Sequence, residues 1–164
     1  MVLVIMSSNL DMVTRFMINK GMYTSNKDDW ETPQELFDEL KKEFDIRFDV
    51  CASEQNAKYE HFWTKEDDCL SKQWTLHIGA FWMNPPYGRQ IAKFIKKASF
   101  ESQLHDSKVI MLLPARTDTK WFHDYIYNKA EIRFLKGRLK FSNSKNSAPF
   151  PSMIVIFRGR TYDN

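Results

Sequence analysis

The residues with the most definite chemistry are the consecutive Asn84, Pro85, Pro86 and Tyr87. An exocyclic amine on a nucleobase, or a side-chain amide nitrogen, is a poor nucleophile because its lone pair is delocalised into the adjoining π-system. Two acceptors that bind its hydrogens draw the nitrogen toward tetrahedral geometry and aim the lone pair. The Asn84 side-chain oxygen and the Pro85 carbonyl can form that pair. Successive prolines restrict their own φ and the ψ of the residue before them, so the carbonyl direction is largely set before substrate arrives. Tyr87 adds an aromatic face on which a planar base can stack, worth about 1–3 kcal/mol. No base of unusual pKa is needed, because the amine gains positive charge during attack and loses its proton afterwards; alignment and electrostatic complementarity supply the acceleration. The bland alternative is a turn, since Asn, Pro and Gly88 all favour turns.

The elements around this string must hold it in place. Ala80-Phe81-Trp82-Met83 is a brief apolar run entering it, and Ile91, Phe94, Ile95 and Ala98 continue as an amphipathic helix leaving it. Upstream, Thr32-Pro33-Gln34-Glu35 reads as a capping box with a Thr N-cap, ahead of Leu36, Phe37, Leu40 and Phe44 on one helical face. Ile46, Phe48 and Val50 alternate with Arg47 and Asp49, a short strand running out at Asp49-Val50-Cys51-Ala52. The polar stretch 53–76 suggests a short helix, a short strand around His61-Phe62-Trp63 and a loop holding Asp67 and Asp68. Val109-Ile110-Met111-Leu112-Leu113 is the longest apolar run, as expected of a central parallel strand covered on both faces, with Pro114 ending it. A helix carrying Trp121, Phe122, Tyr125 and Ile126 is expected next, then strands over 132–135, 139–141 and 153–157 split by the polar loop 142–151. Strands alternating with helices predict an α/β fold with a mostly parallel central sheet, in which ligands bind beyond the carboxyl ends of the strands. Three strand ends (49–53, 84–87 and 114–118) should therefore meet at one crevice.

Composition bounds the alternatives. At 164 residues the chain suits one compact domain, and 43% apolar and 15% aromatic residues suffice for a core. The five glycines are never closer than nine positions, which excludes GxGxxG and Walker A loops. Cys51 and Cys69 form no CxxC pair and the four histidines show no zinc spacing, so reduced thiols in a cytoplasm and no metal are expected. The apolar start Met1-Val2-Leu3-Val4-Ile5-Met6 is far below the roughly 20 residues of a spanning helix. Residues 1–27 read as a flexible leader, and 28–164 as the catalytic domain with no separate target-recognition domain. Net charge is only +3, but 132–161 holds seven basic residues and no acid, leaving 17 basic against 21 acidic elsewhere. That asymmetry points the last third at a polyanion.

Six ordered blocks carry a family resemblance: Trp30-Glu31-Thr32-Pro33, Phe48-Asp49-Val50-Cys51-Ala52-Ser53, Asn84-Pro85-Pro86-Tyr87-Gly88, the 113–119 segment with Trp121-Phe122, Gly137-Arg138-Leu139-Lys140-Phe141 and Ala148-Pro149-Phe150-Pro151-Ser152. Together they resemble the bacteriophage-type DNA N6-adenine methyltransferases over about residues 28–159. The resemblance implies a single-domain Rossmann-like fold of the S-adenosylmethionine-dependent kind, and a methyl transfer to the N6 amine of an adenine flipped out of the duplex. It makes Asn84, Pro85, Pro86 and Tyr87 catalytic, and lines the cofactor pocket with Trp30, Thr32, Pro33, Asp49, Cys51, Ala52 and Asp68.

In that reading the helix start at Thr32 receives the cofactor carboxylate, Asp49 its ammonium and Asp68 its adenine amine. The block Asp49-Val50-Cys51-Ala52-Ser53 lacks the glycines usual for such a loop, with small Cys51 and Ala52 in their place. Arg116 and Thr117, with Lys136, Arg138 and Lys140, become DNA contacts. Phosphate contacts of this kind supply salt-dependent affinity and little sequence information. The same tetrapeptide also serves amino-methyltransferases of RNA or of a protein glutamine, and a non-catalytic nucleic-acid-binding module on a decayed fold is the remaining alternative. A monomer or a homodimer in a bacterial host cytoplasm, protecting DNA from restriction, completes what the resemblance suggests.

Overall fold

The computed structural model describes residues 28–75 and 79–160; the leader expected over 1–27 lies outside them. Helix α1, Gln34–Phe44, buries Phe37, Leu40 and Phe44, the face anticipated from their spacing. Its start differs from the expected capping box. Pro33 (φ −59°, ψ 136°) occupies the cap, no side chain caps the helix, and the Phe37 N–H donates to the Pro33 carbonyl at 3.2 Å. The Thr32 hydroxyl is instead engaged by Asn84, so the helix begins one residue later and Glu35 is too early to complete the box.

Strands β1 (Ile46–Asp49), β2 (Ala80–Met83), β3 (Lys108–Pro114), β4 (Glu131–Phe134) and β5 (Ser152–Phe157) form one open sheet in the order β1-β2-β3-β5-β4. β1, β2 and β3 are parallel, while β5 runs against both β3 and β4. The mostly parallel sheet thus holds for its first half only: β5 returns as the partner of β4 and inserts beside β3. β3 is central, and all its residues after Lys108 are buried, as its unbroken apolar run requires. Helix α2 (Ile91–His105) links β2 to β3 and buries Ile91, Ile95 and Ala98.

Three further expectations change. The helix after β3 is a wide π-type turn, Phe122–Ile126, closed by the Tyr127 N–H on the Phe122 carbonyl at 2.8 Å; this puts Phe122 and Ile126 into the core together. Residues 139–141 form no strand. Gly137 (φ 76°) turns the chain out of β4, and the 135–151 arm is held at its base by the Ala148 N–H on the Leu139 carbonyl at 2.8 Å. The strand expected around His61-Phe62-Trp63 is reduced to a single bridge from Phe62 to Asp49.

The irregular segment that follows is anchored by a buried acid. Glu101 on α2, 2% exposed, accepts from the Trp74 backbone N–H at 3.0 Å and pairs with Lys97 at 2.5 Å and His105 at 3.2 Å. Trp74, fully buried, donates its ring N–H to the Cys69 carbonyl at 2.8 Å. The carboxylate fixes Trp74, and Trp74 fixes the loop carrying Cys69 against the end of β1. Glu101→Ala leaves the buried Trp74 N–H without its acceptor and the half-buried Lys97 without its partner, and is expected to cost about 2 kcal/mol in denaturant unfolding; a loss under about 0.5 kcal/mol removes Glu101 from this role.

Candidate active site

Parallel pairing aligns the ends of β1, β2 and β3, with Asp49 opposite Trp82 and Met83 opposite Met111. Asp49, Asn84 and Arg116 therefore leave the sheet at one edge. Because β5 is reversed, the arm connecting β4 to β5 rises from that edge too: Ser152 at the start of β5 pairs with Pro114 at the end of β3. The three expected strand ends and the arm meet there. A groove of about 860 Å³ lined by Phe100, Leu104, Lys129, Ile156 and Arg160 lies at the other edge, away from Asn84.

Asn84 is the most constrained side chain of the set. Its Nδ2 donates to the Trp30 carbonyl in a short hydrogen bond and to the Thr32 hydroxyl at 3.1 Å. Both amide hydrogens are thus used inside the protein. Its Oδ1 is buried and has no partner among the described residues. An unsatisfied buried acceptor costs about 1–3 kcal/mol, which an incoming N–H donor offsets. The side chain can offer a substrate only an acceptor, as the amine chemistry requires.

Tyr87 differs from an open stacking platform. It is 4% exposed, donates its hydroxyl to the Leu112 carbonyl at 3.0 Å, and burial raises its phenol pKa well above the ordinary value. Its ring meets Phe150 and Phe141 edge-on at 5.7 and 6.2 Å, and both pack on Trp30 at 5.3 and 5.0 Å. This four-ring box closes the arm over the tetrapeptide.

Hydrogen bonds fasten the same contact. The Ser142 N–H donates to the Glu31 carbonyl at 2.9 Å and its hydroxyl to the Thr32 carbonyl at 3.3 Å. Asn143 accepts from the Glu31 N–H at 3.1 Å and donates to the Asp29 carbonyl at 3.2 Å. On the other side the Tyr87 N–H donates to the Asp28 carbonyl at 2.9 Å, and a Cβ at Gly88 would lie 2.4 Å from the Asp28 carboxylate. That clash is with the end of an exposed side chain, which can turn aside. The loop 142–151 is expected from the sequence only as a candidate for DNA contact, and its role in holding the 28–32 segment is not; Phe141 at the end of an expected strand and Phe150 inside the polar loop were the available signal.

At the end of β1, Asp49 is 2% exposed, although strand alternation would turn it outward with Arg47. Its carboxylate accepts from the Cys51 N–H at 3.2 Å and the Lys58 N–H at 3.0 Å, and forms no ion pair among the described residues. Burial raises its pKa from 3.8 to about 6, against the lowering effect of those two N–H groups. The neighbouring Cys69 thiol, together with burial, pushes the Cys51 pKa far up, so it is not a thiolate nucleophile. Trp30 and Thr32 are buried, Pro33, Cys51 and Ala52 half-buried. Asp68 is exposed, with φ 53° and its carboxylate accepting from the Leu70 N–H at 3.2 Å.

The basic third divides in two. Arg133 is held by Glu43 through two 2.6 Å bonds and by Glu131 at 2.8 Å; Arg158 also binds Glu131, at 2.8 Å from its Nε. Both guanidiniums lie over the Phe44 ring, at 5.2 and 5.7 Å. The Arg133 hydrogen bonds hold the Glu43 carboxyl below its usual pKa, and Arg158 does the same for Glu131. These arginines serve the fold. Lys136, Arg138 and Lys140 on the arm are exposed, and with half-buried Arg116 they form no ion pair among the described residues. Phe134, the last residue of β4, is 62% exposed. Thr117 is exposed, and its carbonyl lies 2.9 Å from His123 Nε2.

Comparison with known proteins identifies the family. A family model described as DNA N-6-adenine-methyltransferase (Dam) matches residues 20–163, and the chain belongs to that family. It is 36% identical over 150 residues to a DNA N-6-adenine-methyltransferase of Haemophilus phage HP1, covering 86% of this chain and 84% of that one. It is 33% identical over 147 residues to a protein of the same name from Escherichia phage T1, covering 87% of this chain and 60% of the relative. No described helix is long and apolar enough to cross a membrane.

The position of Asp49 carries a prediction. Its folded pKa of about 6 lies above its unfolded value of 3.8, so the native state holds the proton more tightly. Its burial costs nothing below the unfolded pKa and progressively more as pH rises to about 6, a loss on the order of 3 kcal/mol. Denaturant curves of the ligand-free protein between pH 4 and 7 should show this fall, and Asp49→Asn should abolish it; a wild-type slope retained in the variant assigns the titration elsewhere.

Proposed function

We propose that this protein transfers a methyl group from S-adenosylmethionine to the N6 amine of adenine at a specific site in DNA, on a single-domain Rossmann-like fold. The observation that carries the mechanism is the buried, unpaired Asn84 Oδ1 beside two successive prolines. A flipped adenine presents N6–H hydrogens to Asn84 Oδ1 and the Pro85 carbonyl, which stabilise the positive charge gathering on nitrogen as it attacks. Pro86 holds the turn and Tyr87 walls the base site, with the arm shifting Phe141 and Phe150 to admit the base.

The residues at the end of β1 suit the cofactor. A buried carboxylate without an ion-pair partner, held near pKa 6 by burial, is matched to an ammonium group, which favours its charged form. Asp49 would bind that amine, the free N–H groups at the start of α1 its carboxylate, and Trp30, Pro33, Cys51, Ala52 and Asp68 the remainder; the Thr32 hydroxyl, expected in this pocket, is instead taken by Asn84. When bound, S-adenosylmethionine supplies an electrophilic methyl group. DNA is held by Arg116, Thr117, Lys136, Arg138 and Lys140, phosphate contacts being the sequence-independent share of affinity.

The test is incubation with labelled S-adenosylmethionine and unmethylated DNA, RNA or protein, followed by nucleoside analysis. Label in N6-methyladenine of DNA is expected; label in protein or RNA alone overturns the reading. Asn84→Ala is expected to lose methylation while retaining fold and cofactor binding, and full activity in that variant refutes its role. Replacing Lys136, Arg138 and Lys140 together by Ala should weaken DNA binding and flatten its salt dependence by up to about three phosphate contacts. An unchanged slope removes the arm from the interface.

A further inference from the structure

We infer that Thr32 is a positioning residue, whose hydroxyl locks the plane of the Asn84 amide so that Oδ1 faces the base; this rests on the catalytic reading of Asn84. A primary amide has two N–H donors and one acceptor oxygen. The Trp30 carbonyl can only accept, so the amide end facing it must be nitrogen, whichever way the group was first oriented. One such bond leaves the amide free to swing, because the last torsion of asparagine is broad. The second N–H, 3.1 Å from the Thr32 hydroxyl, removes that freedom. With nitrogen held at two points, the oxygen direction is determined.

Thr32 is itself poorly able to move. It is 2% exposed, and its carbonyl accepts the Ser142 hydroxyl of the arm at 3.3 Å. Its hydroxyl does not cap α1, whose start is Pro33. A side chain with the composition of a helix cap has been diverted to another partner, and that partner is the one whose oxygen is left orphaned. Thr32 acts through Asn84 and need touch neither the base nor the methyl donor.

The test compares the full-length protein with Thr32→Val, Thr32→Ser and Asn84→Ala, measuring kcat, KM for unmethylated DNA, S-adenosylmethionine affinity by calorimetry, and melting temperature. Thr32→Val keeps shape and loses the hydroxyl. It is expected to lower kcat by about tenfold to a hundredfold, the scale of a small misplacement, with KM and cofactor affinity within about twofold of wild type. Thr32→Ser, which keeps the oxygen, is expected to restore most of kcat. If Thr32→Val does not fold, Thr32→Ala against Thr32→Ser makes the same comparison. Wild-type kcat without the hydroxyl, equal loss in the Ser variant, or a weakened cofactor affinity with kcat unchanged at saturation each overturns the assignment. An active Asn84→Ala overturns the catalytic reading beneath it, whereas an inactive Asn84→Ala beside a fully active Thr32→Val overturns the positioning alone.

Discussion

A buried carbonyl oxygen with no donor is a cost that a fold normally removes, and the arrangement around Asn84 maintains one. It does so by using up the opposite end of the amide. Trp30 supplies a backbone acceptor, Thr32 a hydroxyl, and the 28–32 segment that carries both is clamped between Tyr87 and the arm residues Ser142 and Asn143. Much of this edge of the sheet can be understood as support for that one orientation. The aromatic box adds apolar area to the clamp.

What could be read from the sequence was what depends on local pattern. The unbroken apolar run Val109 to Leu113 announced a strand buried on both faces, and it is the centre of the sheet. The spacing of Phe37, Leu40 and Phe44 announced the buried face of α1. The tetrapeptide was visible because few positions hold so much chemistry in four residues. What failed to show was decided by partners distant in the chain. Thr32 looks like a cap until Asn84, 52 positions away, claims its hydroxyl. Asp49 looks outward-facing until the 53–63 segment folds back and covers it. Cys69, 18 residues from Cys51, is held by the Trp74 ring N–H on its carbonyl, and Trp74 by Glu101.

Charge shows the same limit. Counting from 132 stops one residue short of Glu131, the acid that binds both Arg133 and Arg158. Once those two arginines are assigned to the network over Phe44, and Arg160 to the opposite edge beside Gln103, the positive charge of the last third that remains lies on the arm. That is a smaller patch than the count implied, but it sits on the edge where Asp49, Asn84 and Arg116 emerge.

The reversal of β5 gives the arm both of its feet on one edge of the sheet, joined to adjacent antiparallel strands. A segment mounted in this way can lengthen or shorten with little strain on the layers beneath, because loop-closure entropy grows only slowly with length. Its two ends do not share that freedom, because Phe141 and Phe150 are sunk in the aromatic box and Ser142 and Asn143 grip the 28–32 segment. Length can therefore vary only at the exposed tip around 145–147, a hinge-free crest above a fixed base.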